Sequence, residues 1–159
     1  MSELKTIEDK LKNSLSGDNL NNALDFIAHM TKIGMTLKIK GHPTFYYMDK
    51  WICLFDAIGD NFMICAWSGE LDVTESANYS VNENLKEFAR GFVKKCFNCR
   101  GCSDSDNPGP MIRDVFGQKH DEVCCNIFHF WNPNKNQIEN GKILMELLTH
   151  IIKDIQHTN

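Results

Sequence analysis

Three cysteines spaced two residues apart are the strongest chemical signal in this sequence. They occur in the run Cys96-Phe97-Asn98-Cys99-Arg100-Gly101-Cys102, which precedes a stretch rich in Gly, Pro, Asp and Ser. Two intervening residues let neighbouring thiolates converge on one ion while the backbone amides between them hydrogen-bond to the sulfurs. A tetrahedral zinc ion needs four ligands at about 2.3 Å, so the fourth ligand must come from elsewhere in the chain.

The fourth ligand is expected near the start of the next strand. Cys124 and Cys125 lie there, and His120 is four residues before Cys124. Alternation along a strand directs Cys124 and Cys125 to opposite faces, so only one of them is expected to join the site. We predict a metal site of Cys96, Cys99, Cys102 and Cys124, with Cys125 and His120 as alternates.

Zinc is the preferred metal, and two other chemistries stay open. A C-x-x-C-x-x-C run with a remote fourth cysteine also resembles the ferredoxin-like ligation of a [4Fe–4S] cluster. The cysteine-proline end of that motif is missing, because Ser103 follows Cys102. A thiol redox switch is the third reading. Isolated cysteines are mostly buried small hydrophobes, which is the role expected of Cys53 and Cys65.

Length and composition indicate one soluble domain, 1–159. The chain has 159 residues, 42% hydrophobic and 24% charged, and its helix in residues 1–17 is either peripheral or part of the domain. A net charge of −4 argues against a protein that binds nucleic acid by neutralising phosphates. No apolar run is long enough to cross a membrane or to form a secretory signal, so a cytoplasmic location is expected. In a reducing compartment, closely spaced cysteines indicate metal or redox chemistry more often than disulfides.

Hydrophobic periodicity predicts an α+β fold. Helical spacing in residues 4–15 and 20–28 gives way to alternating apolar residues from Met35 onward, and turns divide residues 35–67 into a four-stranded antiparallel meander. A helix then leads into Cys96, and a cysteine loop fills residues 96–122. One more strand, residues 123–131, and a C-terminal helix capped at Asn132-Pro133 complete the prediction.

Three residues of the predicted sheet are candidates for binding a small ligand. Tyr47 and Trp67 are aromatic residues that could line a pocket over the sheet, and Asp56 is a carboxylate in an otherwise apolar strand. Burial of a carboxylate is costly without a partner, so Asp56 is expected to reach one. No glycine-rich phosphate loop, H-E-x-x-H or G-x-S-x-G is present, so nothing in the sequence establishes an enzyme.

From about Leu20 to Ile152 the chain resembles a family of small, largely uncharacterised bacterial cytosolic proteins. The resemblance rests on NNALDFIAHMTKIGMT, ICAWSGE, NENLKEFARG, the cysteine run, VFGQKHDEVCCNIFHFWNP and the terminal helix. Such proteins carry a C-x-x-C followed by an F-G-x-x-x-D-x-V-C stretch, and their last cysteine aligns with Cys124. The resemblance therefore implies Cys124 rather than Cys125 as the ligand, and His120 stands where phenylalanine is common. It implies no activity.

The sequence thus predicts a cytosolic metal-binding domain with structural zinc that binds a small molecule or a protein partner. An iron–sulfur or thiol redox sensor is the first alternative, and an enzyme with a pocket over the sheet is the second. Neither a nucleic-acid partner nor a membrane is expected.

Overall fold

The helices and strands are taken from a computed structural model that describes residues 3–68, 80–96 and 110–158. Within these residues the chain forms four helices and seven strands, in the order α1 Glu3–Ser14, α2 Gly17–Lys32, β1 Thr36–Lys40, β2 His42–Tyr47, β3 Lys50–Ile58, β4 Asn61–Ser68, α3 Glu83–Gly91, β5 Val93–Lys95, β6 Met111–Val115, β7 Gln118–Trp131 and α4 Lys135–Thr158. The predicted α+β class is confirmed.

The two N-terminal helices are amphipathic and contribute to the core. Apolar residues at helical spacing bury one face of each helix, and in α1 the residues Ile7 and Leu11 are fully buried. The backbone N–H of Ser16, just before α2, donates to Asp60 Oδ1 at 2.8 Å. The first helix, which the sequence left open as peripheral, is therefore packed against the rest of its unit.

Strands β1 to β4 form the meander that the alternating pattern predicted. Antiparallel register pairs Leu37 with Phe45 and Phe45 with Cys53, so the apolar positions of neighbouring strands lie side by side. Gly41, with φ of 84°, occupies the turn between β1 and β2, where a left-handed backbone favours glycine. The central strand β3 is buried on both faces over most of its length.

The cysteine region contains more strand than the sequence predicted. The predicted helix does not continue into Cys96: α3 ends at Gly91, and β5 follows it before the loop. Strand β6 forms within the predicted loop, and both β5 and β6 pair antiparallel with β7. Strand β5 has three residues and β6 has five, and strands this short are stabilised by the ladder more than by their own pattern. Arg90 of α3 donates to the carbonyl oxygens of Val115 and Phe116 and so ties the β6–β7 turn to the helix.

The start of α4 differs in detail from the prediction. The cap is Asn134, whose Oδ1 accepts from the N–H of Gln137 at 3.0 Å, while Gln137 Oε1 accepts from the N–H of Asn134 at 2.9 Å. This reciprocal pair is a capping box. Asn132, the predicted cap, has a φ of 43° and bonds instead to β4, with its Oδ1 accepting from the N–H of Phe62 at 2.8 Å.

The strand order in the sheet is β1-β2-β3-β4-β7-β5, and β6 pairs with β7 in addition. The chain separates into two compact units, one formed by Met1–Cys65 with Phe130–Asn159 and the other by Ala66–His129. Helices α1, α2 and α4 belong to the first unit, and α3 belongs to the second. None of the helices in the described ranges is both long enough and apolar enough to cross a membrane.

Candidate metal centre

Cys96 is fixed beside the strand that carries Cys124. Lys95 is the register partner of Val123, and the backbone N–H of Cys96 donates to the carbonyl oxygen of Glu122 at 2.6 Å. Cys96 therefore lies two residues from Cys124 across the ladder, close enough for the Cys96 thiol to raise the pKa of Cys124. Both cysteines are candidates to ligate one ion.

The ladder between β5 and β7 is irregular at the cysteines. From Val93 to Lys95 strand β5 advances two residues, while the partner on β7 changes from Phe128 to Val123, which is five residues. Strand β7 therefore carries three extra residues here, as in an extended β-bulge, and the regular alternation of side chains is lost. The burial pattern agrees, because Val123 and Cys124 are both buried.

The bulge corrects the expectation that Cys124 and Cys125 point to opposite faces. Their sulfurs are 4.0 Å apart, and neither cysteine forms a disulfide. In a tetrahedral zinc site with bonds of about 2.3 Å, ligand sulfurs are about 3.8 Å from each other. The pair is therefore already close to the spacing of two ligands on one ion.

The environment of Cys124 favours the neutral thiol until a cation arrives. The pKa of Cys124 is raised to about 11, mainly by burial and also by the neighbouring Cys125 and Cys96, while a hydrogen bond from the backbone N–H of Asn126 acts against this rise. Cysteine ligands must lose their protons on binding a metal, so a cation would release a proton from this buried group. The Asn126 N–H is positioned to stabilise the thiolate that forms.

The other two predicted ligands lie in the cysteine loop. Cys99 and Cys102 fall within residues 97–109, outside the described residues. Among the residues 3–68, 80–96 and 110–158, no group of three or more His, Cys, Asp and Glu side chains is arranged to hold a metal ion. What the structure brings together from the predicted set is Cys96 and Cys124, with the alternate Cys125 beside Cys124.

His120, the other alternate ligand, contains a buried ring nitrogen. It lies on β7 as the register partner of Arg113, and its Nε2 is buried with no hydrogen-bond partner among the described residues. A buried polar atom normally finds a partner, because leaving it unpaired costs free energy. His120 thus keeps a donor or acceptor available on the same strand as Cys124.

The remaining cysteines and a nearby histidine behave as structural residues. Cys53 and Cys65 belong to the buried core, and burial raises the pKa of Cys53 far above its ordinary range, with Cys65 adding to the effect. His129 follows Cys125 on β7, and burial, with a smaller contribution from Lys94, lowers its pKa from 6.5 to about 4. Its imidazole is therefore neutral at physiological pH.

Asp56 has the partners that its burial requires. Its carboxylate is 11% exposed and lies 3.1 Å from Nδ1 of His42 and 3.5 Å from Nζ of Lys10, and it accepts from the N–H of Ala57 at 2.9 Å. His42 was missed as a partner. The signal available in the sequence was the tight turn at Gly41, which starts β2 at His42 and brings it opposite the end of β3.

Two of the three candidate ligand-binding residues of the sheet, Tyr47 and Asp56, lie far apart. Tyr47 is the register partner of Lys50 on β3, which is six residues, or about 20 Å of strand, from Asp56. Tyr47 is buried, with Nζ of Lys153 5.7 Å from its ring centroid. Trp67 lies in β4, and its side chain is outside the described part of the protein. Tyr47 and Asp56 therefore cannot line one small pocket.

A polar cleft of about 480 Å³ lies instead at the start of two helices in the first unit. Five of its lining residues are asparagines and two are aspartates, drawn from α2, the segment after β7 and the start of α4. Several of these amides are already paired, as in the bond from Asn22 Nδ2 to the carbonyl oxygen of Pro133 at 3.0 Å. Such a lining suits a polar ligand rather than an apolar one.

No protein-family model, curated protein or solved structure matches the chain.

Proposed function

We propose that this protein is a cytosolic metal-binding domain in which Cys96, Cys99, Cys102 and Cys124 hold a structural zinc ion. The observation that carries the proposal is the hydrogen bond from the Cys96 N–H to the Glu122 carbonyl oxygen. It fixes the first cysteine of the run two residues from Cys124 across the ladder, where a remote fourth ligand is needed. Thiolates in this number favour zinc among the common cellular divalent ions.

The metal would stabilise a segment that has little core of its own. Residues 97–110 consist mainly of Gly, Pro, Asp, Asn and Ser, and they offer few apolar side chains to bury. Free energy from metal binding is then available to order the loop against β7, as in other structural zinc sites. The loop and the strand would be joined through the ion.

The domain would act by binding a small polar molecule or a protein partner. The amide-rich cleft supports the first possibility, because its volume is in the range of small-ligand sites and its lining offers donors and acceptors. The expected enzyme pocket over the sheet has no support from Tyr47 and Asp56, which lie far apart. Binding of small polar molecules can be screened by ligand-observed NMR, with loss of binding in Asn21→Leu as the check.

Elemental analysis of protein purified without oxygen tests the metal. We expect about one zinc per chain in the wild type and loss of the zinc in Cys99→Ser. Cys53→Ala is the matched control, because it removes a thiol from the buried core and should leave the zinc content unchanged. No metal in the wild type, or full zinc in Cys99→Ser, would contradict the proposal. Iron together with sulfide and visible absorbance would replace zinc by an iron–sulfur cluster.

A further inference from the structure

The Cys124–Cys125 pair has a geometry that the zinc proposal does not require. A zinc ion held by the run and Cys124 needs only one of the two adjacent cysteines. The bulge nevertheless holds both sulfurs 4.0 Å apart. Neighbouring residues on a regular strand point in opposite directions, so this closeness is a specific product of the local backbone.

Access to the pair comes from one side. Cys125 is half-buried, whereas Cys124 is only 7% exposed, so an incoming ligand would meet Cys125 first and then Cys124. The Asn126 N–H already donates to Cys124 and would support its thiolate after binding. Neither step needs another side chain.

We propose that Cys124 and Cys125 together form a chelating dithiol site for a single thiophilic metal or metalloid centre. Sulfur ligands select soft ions, and two sulfurs at this spacing match two positions of one coordination sphere. A site of this kind takes centres such as cadmium or trivalent arsenic. The inference shares Cys124 with the proposed zinc site but depends on Cys125, which that site does not use.

Phenylarsine oxide is a suitable probe because it needs two neighbouring thiols and no metal ion. Two S–As bonds form, the two S–H bonds break, and the arsenic-bound oxygen leaves with both protons as water. The arsenic stays trivalent throughout, so no oxidant or reductant takes part. The product is a ring closed by adjacent residues of one strand, and its formation reports the pair directly.

Cys53 and Cys65 form a second close pair of cysteines within the described residues. Cys65 raises the pKa of Cys53, but both residues lie in the core, with Cys53 fully buried and Cys65 only 3% exposed. Buried thiols of this kind are inert. They serve as an internal control for a reagent that must reach its site from solvent.

The test uses the full chain in a background where Cys96, Cys99 and Cys102 are replaced by serine, so that the cysteine run cannot react. Metal-free protein reduced with a phosphine is mixed with phenylarsine oxide and analysed by native mass spectrometry. We expect one arsenical per chain in this background and none after the further change Cys125→Ser. The further change Cys65→Ala should leave the adduct intact. Circular dichroism confirms that each variant is folded.

The same variants separate this inference from the zinc proposal. An adduct in the triple-serine background, reversed by a dithiol but not by an equal concentration of a monothiol, supports the dithiol site whether or not the wild type holds zinc. A folded triple-serine protein without the adduct, or with an adduct that survives Cys125→Ser, overturns it even if the wild type contains zinc. If the Cys125→Ser protein is unfolded, the adduct is measured in Cys125→Ala in the same background instead.

Discussion

Asn132 is expected to contribute strongly to the junction between β4 and β7, and the size of its effect can be worked from its contacts. Its backbone N–H donates to the Phe62 carbonyl oxygen at 2.9 Å, its Oδ1 accepts from the Phe62 N–H at 2.8 Å, and its Nδ2 donates to Asn61 Oδ1. Its φ of 43° lies in the left-handed region, which asparagine tolerates better than alanine. Loss of the side chain therefore leaves the Phe62 N–H without its acceptor.

Replacement of Asn132 by glycine removes its side-chain hydrogen bonds but leaves the left-handed backbone unstrained. Loss of a part-buried acceptor for Phe62 is expected to lower the free energy of unfolding by about 1–3 kcal/mol. Asn132→Ala should lower the free energy of unfolding more than the glycine variant does. A left-handed alanine is disfavoured by about 1–2 kcal/mol, and about 0.4–1 kcal/mol of this is offset because glycine gains more entropy in the unfolded chain. Alanine should then be less stable than glycine by about 0.5–1 kcal/mol.

Urea unfolding followed by circular dichroism measures these differences in metal-free, reduced protein. Asn132→Asp is the matched control, because aspartate keeps an acceptor for the Phe62 N–H and tolerates the same φ. It should stay within about 1 kcal/mol of the wild type, since it loses only the exposed bond to Asn61. The reasoning is refuted if alanine is as stable as glycine, or if aspartate is as destabilising as alanine.

Two further predictions concern titration and ion pairing. Because burial lowers the pKa of His129 to about 4 in the folded state from 6.5, the unfolded state binds more protons between these values. The free energy of unfolding should therefore fall as the pH drops from 6.5 toward 4, and His129→Gln should reduce that slope in urea titrations at several pH values. Asp56→Ala should cost about 1–3 kcal/mol because its buried carboxylate accepts from Ala57. His42→Ala should cost at most about 1 kcal/mol because its side chain is 62% exposed.

The controls for these two predictions are simple. An equal pH slope in wild type and His129→Gln would mean that other groups control the acid range. A larger loss from His42→Ala than from Asp56→Ala would show that the imidazole, rather than the carboxylate, organises this contact. Both measurements use the unfolding assay described for Asn132.

The fold class was accessible from the sequence because it depends on periodicity. Alternating apolar residues in 35–47 and helical spacing around Ile7 and Leu11 bury one face of each element in any compact arrangement, and glycine at position 41 marks a turn. The cysteine spacing likewise identified a chemical signal without any coordinates. These inferences use neighbours along the chain, which the sequence states directly.

Other features depended on contacts between distant residues. Strands β5 and β6 form because β7 offers them a hydrogen-bond ladder, and their own sequences are too short to predict it. The sequence predicted that Asp56 would have a partner but not which residue it would be. The register between β2 and β3 decides that it is His42.

In the candidate site, too, the sequence predicts some features and tertiary contacts decide the others. From the sequence alone, spacing selected Cys96, Cys99 and Cys102 as potential ligands of one ion, because ligand chemistry depends on residue type and on short separations along the chain. For the fourth ligand it left Cys125 and His120 open beside Cys124. Tertiary structure alone decided that Cys96 lies beside β7 and that Cys124 and Cys125 share one side of it. The physical reason is the bulge, which adds residues to one strand of a pair and breaks an alternation that sequence reasoning must assume.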